Sequence, residues 1–173
     1  MKITDVRTHL IDQYMFVQVD TDEGISGVGE SGAWAFLEAS KEAVETFKRY
    51  LIGQDPLLIE HHWQYMYRCY HFRGAAIMGA LSAIDIALWD IKGRYYGVPC
   101  YELLGGKVRH KARVYYHVFG SSGEELIQGC KEAKARGFKA VGHLTPFVDS
   151  DRREVMKMES FATKISNAAE RVY

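Results

Sequence analysis

The sequence predicts two unlike regions: an α+β layer domain over residues 1–108 and the opening of a parallel α/β unit over 109–173. Three observations predict it. Short β-rich runs follow one another at the N-terminus, and helical periodicity replaces them from about residue 35. Near residues 107–111 the pattern then switches to apolar strand, helix, apolar strand, helix.

Residues 3–11 and 14–20 are rich in Ile, Val, Thr, Tyr and Phe and read as two strands joined by Asp12-Gln13. Thr21-Asp22-Glu23-Gly24 is a turn signal, and residues 25–30 continue as a third strand, so the three make an antiparallel meander. Residues 35–51 carry Phe36, Ala39, Ala43, Phe47, Tyr50 and Leu51 at helical spacing, and Gly53 ends that helix. Asp55-Pro56 predicts the next start, with Asp as N-cap and Pro at the first helical position of a helix reaching about residue 70. A longer helix is expected over 75–96, with Ile77, Leu81, Ile84, Leu88, Ile91 and Tyr95 along it and Gly97-Val98-Pro99 closing it.

Residues 112–119 have the β-branched and aromatic character of a buried parallel strand. After the loop 120–123, Ser121 with Glu124 or Ser122 with Glu125 can form a capping box. The helix so opened ends at Arg136-Gly137, residues 138–144 form a second buried strand, and 152–172 another helix. A closed (β/α)₈ barrel takes about 250 residues, so this region begins a barrel without completing one and the chain reads as truncated.

Composition narrows the function. Twenty-two acidic and 22 basic side chains are interspersed and cancel, which argues against a nucleic-acid partner. No apolar run approaches the ~18 residues of a membrane span, and the N-terminus enters a strand pattern without a signal-peptide core. Cys69, Cys100 and Cys130 are odd in number and far apart, which suits neither a disulfide framework nor a zinc cluster; a cytoplasmic protein is expected.

Gly27-Val28-Gly29-Glu30-Ser31-Gly32 matches G-x-G-x-x-G, but that pattern binds dinucleotides only between the first strand and first helix of a βαβ unit. Here it follows the third strand of a meander. Its glycines are read instead as letting the chain leave a twisted sheet tightly. His61 and His62 are neighbours on a helix, about 100° apart, and are expected in packing or at the surface rather than on one metal.

The segment Ala80-Leu81-Ser82-Ala83-Ile84-Asp85-Ile86-Ala87-Leu88-Trp89-Asp90-Ile91-Lys92-Gly93, continuing to Pro99 and Leu103-Leu104-Gly105-Gly106, resembles a known signature. It is similar to the signature helix of the mandelate racemase/muconate lactonizing enzyme group of the enolase superfamily, with Cys100 a departure from the usual aliphatic residue. Thr21-Asp22-Glu23-Gly24-Ile25-Ser26-Gly27-Val28-Gly29-Glu30 resembles the same group's second hairpin. Read from its own periodicity, the helix is scaffold: Leu81, Ile84, Leu88 and Ile91 form a buried stripe, while Asp85 and Asp90 hold neighbouring backbone or basic groups.

The resemblance implies an α+β capping domain over residues 1–108 covering the mouth of a modified (β/α)₈ TIM barrel that starts at 109. It also implies Mg²⁺, held by carboxylates on barrel strands three to five. Those strands are absent from this chain, so the metal ligands are expected outside it and the fragment alone is expected to be inactive. The implied chemistry is removal of an α-proton from a carboxylate substrate, with the metal stabilising the enediolate. Homo-oligomers are implied as well.

Four residues are the candidates for that site. Trp34, in a Gly- and Ala-rich loop, is a lid residue or a loop anchor. His117, at the C-terminal end of the first barrel strand, resembles a histidine that contacts substrate in mannonate-dehydratase-like enzymes; alone in an apolar strand, it could equally be a hydrogen-bonded core residue. Arg73 resembles a position near the active-site rim and suits carboxylate recognition, with solvated surface the alternative. At the second barrel strand, racemases and lactonizing enzymes of the group place Lys-x-Lys and mannonate-type dehydratases an arginine. This chain departs from both with Gly142-His143-Leu144, and His143 is the candidate acid/base or a residue pointing outward between strand and helix. The expected activity is Mg²⁺-dependent dehydration of a sugar acid (the mannonate/galactonate dehydratase-like branch) to a 2-keto-3-deoxy acid. The alternatives are a hydroxy-acid racemase or epimerase, and a catalytically silent member with a binding or regulatory role.

Overall fold

The computed structural model describes residues 1–33, 36–120 and 122–142. Trp34, His143 and the helix expected over 152–172 lie outside the described residues. The chain divides into two compact units, Met1–Val108 and Arg109–Tyr173.

In the first unit, β1 (Ile3–Ile11), β2 (Tyr14–Thr21) and β3 (Ser26–Ser31) form an antiparallel sheet in chain order. Alternation decides which side chains of β2 enter the core, so Met15, Val17 and Val19 are buried and the residues between them are not. In β1 a register shift between Ile3 and Asp5 lets Ile3 and Val6, three apart, both be buried. Asp12 takes φ 54° in the two-residue connection of β1 and β2, a conformation such tight hairpins demand and Asp tolerates better than most residues. Gly24 supplies φ 74° at the next turn, where its N–H donates to Thr21 O at 3.2 Å.

Four helices follow: α1 (Leu37–Leu51), α2 (Ile59–Arg68), α3 (Ala75–Tyr96) and the short α4 (Cys100–Leu103). The bounds of α3 match the expectation, and its stripe Leu81, Ile84, Leu88 and Ile91 is at most 1% exposed. Gly97, at φ 68°, closes it, with Val98 N–H donating to Gly93 O at 2.9 Å. In α1 the buried face is Leu37, Ser40, Val44, Phe47 and Leu51, one residue round from the stripe read from the sequence. Phe36 stands ahead of the first turn as the N-cap residue and is 66% exposed.

The start of α2 also differs from the expectation. Asp55 Oδ1 accepts from Leu57 N–H at 2.9 Å, and Asp55 O accepts from Leu58 N–H at 3.2 Å. The side chain thus closes a local turn rather than capping a helix, and helical geometry begins only at Ile59. The same Asp55 carbonyl accepts from the Nε2–H of His62, at 2.7 Å.

Sheet and helices meet most closely between β3 and α3. An added Cβ at Gly29 would lie 2.9 Å from Ala83 C and from Ala87 N, and still closer to Ala83 O. One at Gly27 would meet Ala87 O and, at 2.8 Å, Ile91 Cγ1. The glycines of the G-x-G pattern therefore let a helix backbone lie directly on a strand, which is a different reason from the exit turn expected of them. Asp90 of α3 also reaches the strand: its Oδ2 accepts from Val28 N–H and its Oδ1 from Arg94 Nε–H, each at 3.1 Å. That fulfils the role expected of Asp90. Asp85 has no such partner among the described residues; burial and the nearby Glu60 raise its pKa.

In the second unit β4 (Tyr116–His117) and β5 (Val141–Gly142) run parallel, in a sheet separate from the meander. Between them lies α5 (Gly123–Ala135). Ser122 caps α5, its Oγ accepting from Glu125 N–H at 3.2 Å, and Gly137 takes φ 88° just past its end. Both strands are far shorter than the apolar runs that predicted them. Ladder pairing needs a neighbour, and among the described residues each of these strands has one neighbour only. No described helix is long and apolar enough to cross a membrane.

Candidate active site

The side-chain alternation of β4 separates its two faces. Val118 is 2% exposed and packs on α5, so closely that a Cβ at Gly129 would lie 2.5 Å from Val118 Cγ1. Tyr116 shares that face: its hydroxyl accepts from Arg136 Nη1–H at 2.9 Å, and its ring is 4.9 Å from that of Phe138. His117, next to Tyr116 on the strand, therefore points the other way, and the rings of Tyr115 and Phe119, which flank β4, lie beside it. In a βαβ unit the helix covers one face of the sheet, so the opposite face is the one that a closing barrel would turn inward.

On that inner face His117 is exposed, in a row of rings, 4.9 Å from Tyr115 and 5.8 Å from Phe119 between centroids. Across the parallel ladder its register partner is Gly142. A Cβ at 142 would stand 2.6 Å from Tyr115 Cε2, so the tyrosine ring occupies the space that a side chain there would need. This juxtaposition of Tyr115, His117 and Gly142 was not legible in the sequence. A glycine inside an apolar strand is the one signal that pointed to it, since it marks a close approach by another group.

Arg73 lies between α2 and α3 and is exposed. Its Nε–H donates to Tyr67 O at 2.7 Å, its Nη1–H to His71 O at 3.0 Å, and its guanidinium lies 4.2 Å from the Tyr67 ring centroid. Arginine has five N–H donors, so this clasp of the end of α2 and the loop after it leaves Nη2 as a donor for an anion. Trp34 and His143 lie outside the described residues.

His62 is a different kind of histidine. It is wholly buried, with Nε2 on Asp55 O and Nδ1 2.9 Å from Tyr50 Oη. A carbonyl can only accept, so Nε2 carries the proton and Nδ1 accepts from the tyrosine hydroxyl. Burial lowers its pKa and keeps the ring neutral, as suits a packing residue. Among the described residues no group of three or more His, Cys, Asp or Glu side chains gathers where it could hold a metal ion. The described residues alone therefore do not fit a Mg²⁺ site.

Residues 2–105 match the model of the mandelate racemase / muconate lactonizing enzyme N-terminal domain. The chain belongs to this family. Family members with similar sequences include the D-galactonate dehydratase of Ralstonia pickettii, 48% identical over 140 residues, and that of Verminephrobacter eiseniae, 44% identical over 140. In both cases the match covers 80% of this chain and 37% of the relative, so the chain spans little more than a third of the curated relatives it matches. Among solved structures, an enolase from Pantoea ananatis with bound D-gluconate and Mg superposes with TM-score 0.76 at 35% identity, covering 81% of this chain and 35% of that one. A member of the enolase superfamily from Salmonella Typhimurium gives TM-score 0.75 at 34% identity, covering 81% and 41%. The α+β unit of sheet and helices is accordingly the family's N-terminal capping domain.

Proposed function

We propose that the full-length protein dehydrates a sugar acid of the aldonate class. The observation that carries this reading is the 48% identity to a D-galactonate dehydratase over 140 residues. The exposed imidazole of His117, on the β4 face turned away from α5, supports it. The reaction removes the proton α to the carboxylate and expels the β-hydroxyl as water; the resulting enol tautomerises to a 2-keto-3-deoxy acid. When bound, Mg²⁺ would stabilise negative charge on the carboxylate as the α-proton leaves. Its ligands would come from outside the described residues.

Within this reading His117 and Trp34 contact the substrate, and Arg73 offers its Nη2 to a carboxylate, as a guanidinium charge is suited to do. His143 is the candidate group for moving a proton, because imidazole titrates near working pH. A homo-oligomer in the cytoplasm is part of the same proposal. Gly142 favours one rival reading, a member that kept the fold without a base, since it stands where a lysine pair would begin. The full-length protein, screened with Mg²⁺ against a library of aldonic acids, should form a 2-keto acid from at least one of them. His117→Asn should lower that rate roughly 100-fold or more, as removal of a group stabilising the transition state does. An inert wild type would refute the enzyme, and an unimpaired His117→Asn would remove His117 from the site.

A further inference from the structure

We propose that Tyr115 is a positioning residue, whose ring, lodged over Gly142, fixes the imidazole of His117, and that residue 142 is glycine in order to admit that ring. The proposal rests on the reading that His117 contacts the substrate, and adds to it the device that orients the contact.

The geometry is specific. Tyr115 immediately precedes β4, two residues before His117, and the two rings lie side by side. Their ring planes are inclined by 31° at a centroid separation of 4.9 Å, an offset packing favourable for two π-systems. Phe119 meets the other side of the imidazole edge-on, at 74°. An imidazole with an aromatic ring on each side loses rotamer freedom along the chain.

The neighbouring strand then decides whether Tyr115 can hold its place. Two ring atoms, Cε2 and Cδ2, would lie 2.6 and 2.7 Å from a Cβ at 142, inside any real carbon–carbon contact. Any side chain at 142 would therefore drive the tyrosine away from His117. Glycine is otherwise unfavourable within a strand, so its presence at the register partner of His117 calls for a compensating contact. Tyr115 supplies it: the first strand fills, from its own side chain, the space that the second strand leaves empty.

The test uses the full-length protein and needs no substrate. Diethyl pyrocarbonate modifies neutral imidazoles, and peptide mass spectrometry gives the rate at each histidine. Tyr115→Leu should raise the rate at His117 roughly three- to tenfold, the effect of losing one aromatic partner, with exposed His9 as the unchanged internal reference. Tyr115→Phe, which keeps the ring, should restore the wild-type rate. Gly142→Ala should mimic Tyr115→Leu, and the double variant Tyr115→Leu/Gly142→Ala should be no worse than Tyr115→Leu alone, because the methyl then has room. If His117 reacts equally fast in wild type and Tyr115→Leu, the proposal is overturned, even if Gly142→Ala does not fold. A wild type that turns over no sugar acid would count against the dehydratase reading while leaving the labelling result interpretable. If turnover is found, Tyr115→Leu should lower kcat more than it raises KM, and an effect on KM alone would overturn the positioning role.

Discussion

Replacing Gly29 by alanine probes the contact on which the capping domain is built. The new methyl would lie 2.9 Å from Ala83 C and Ala87 N, where ordinary contact begins at 3.4 Å, so α3 must retreat from β3 by at least 0.5 Å. Both neighbours are main chain, and neither can rotate aside. Overpacking a tight core costs about 1–3 kcal/mol, and a rigid partner on a 22-residue helix puts Gly29→Ala near about 3. For a unit of this size that is a fall in Tm of roughly 12–24 °C. Trp34, Trp63 and Trp89 all precede residue 108, so thermal unfolding of the 173-residue chain followed by tryptophan fluorescence reports its first unit. Gly32→Ala is the control: among the described residues nothing lies within 4 Å of its added Cβ, and its Tm should stay near the wild type. A Gly29→Ala protein as stable as Gly32→Ala would refute the close-approach argument.

Three more outcomes follow from the capping domain. The folded-state pKa of His62 is depressed, so the unfolded chain takes up its proton near pH 6.5 before the folded one does. Stability should therefore fall as pH drops below about 6.5, level off below the lowered folded value, and be insensitive to His62 above pH 6.5; urea midpoints against pH should show this, and His62→Gln should flatten it. Ser40 is fully buried, and its Oγ has no hydrogen-bond partner among the described residues, so Ser40→Ala should raise stability by about 0.5–2 kcal/mol in the same denaturation assay. Asp90→Ala should cost about 0.5–1.5 kcal/mol by freeing Val28 N–H, and hydrogen exchange at that amide should quicken.

How much was legible in the sequence depended on whether the deciding interaction was local. The extent of α3 followed from one long apolar stripe and a glycine stop, both carried by the helix itself. The start of α2 was misplaced because the use Asp55 makes of its side chain and carbonyl depends on Leu57 and His62, not on its rank as an N-cap residue. Gly27 and Gly29 were visible as a motif, but their reason lies on α3, more than fifty residues along the chain. The ladder of β4 was overextended because a parallel strand is only as long as the neighbours that pair with it. The site divided in the same way. His117 was a candidate from its place at the end of an apolar strand together with the resemblance, whereas the packing of Tyr115 depends on Gly142 on another strand. The loop clasp of Arg73 was likewise hidden, since its acceptors are backbone carbonyls of Tyr67 and His71 that no side-chain pattern reveals.

The most direct measurement is to incubate the full-length protein with Mg²⁺ and aldonic acids in D₂O and follow both substrate and product by mass spectrometry. α-Proton abstraction followed by dehydration predicts a product lighter by one water that gains solvent deuterium at C3 as the enol tautomerises. Deuterium entering the substrate with no loss of water would mean a racemase or epimerase, and acids returned unlabelled and intact would mean that this fold performs no such chemistry here.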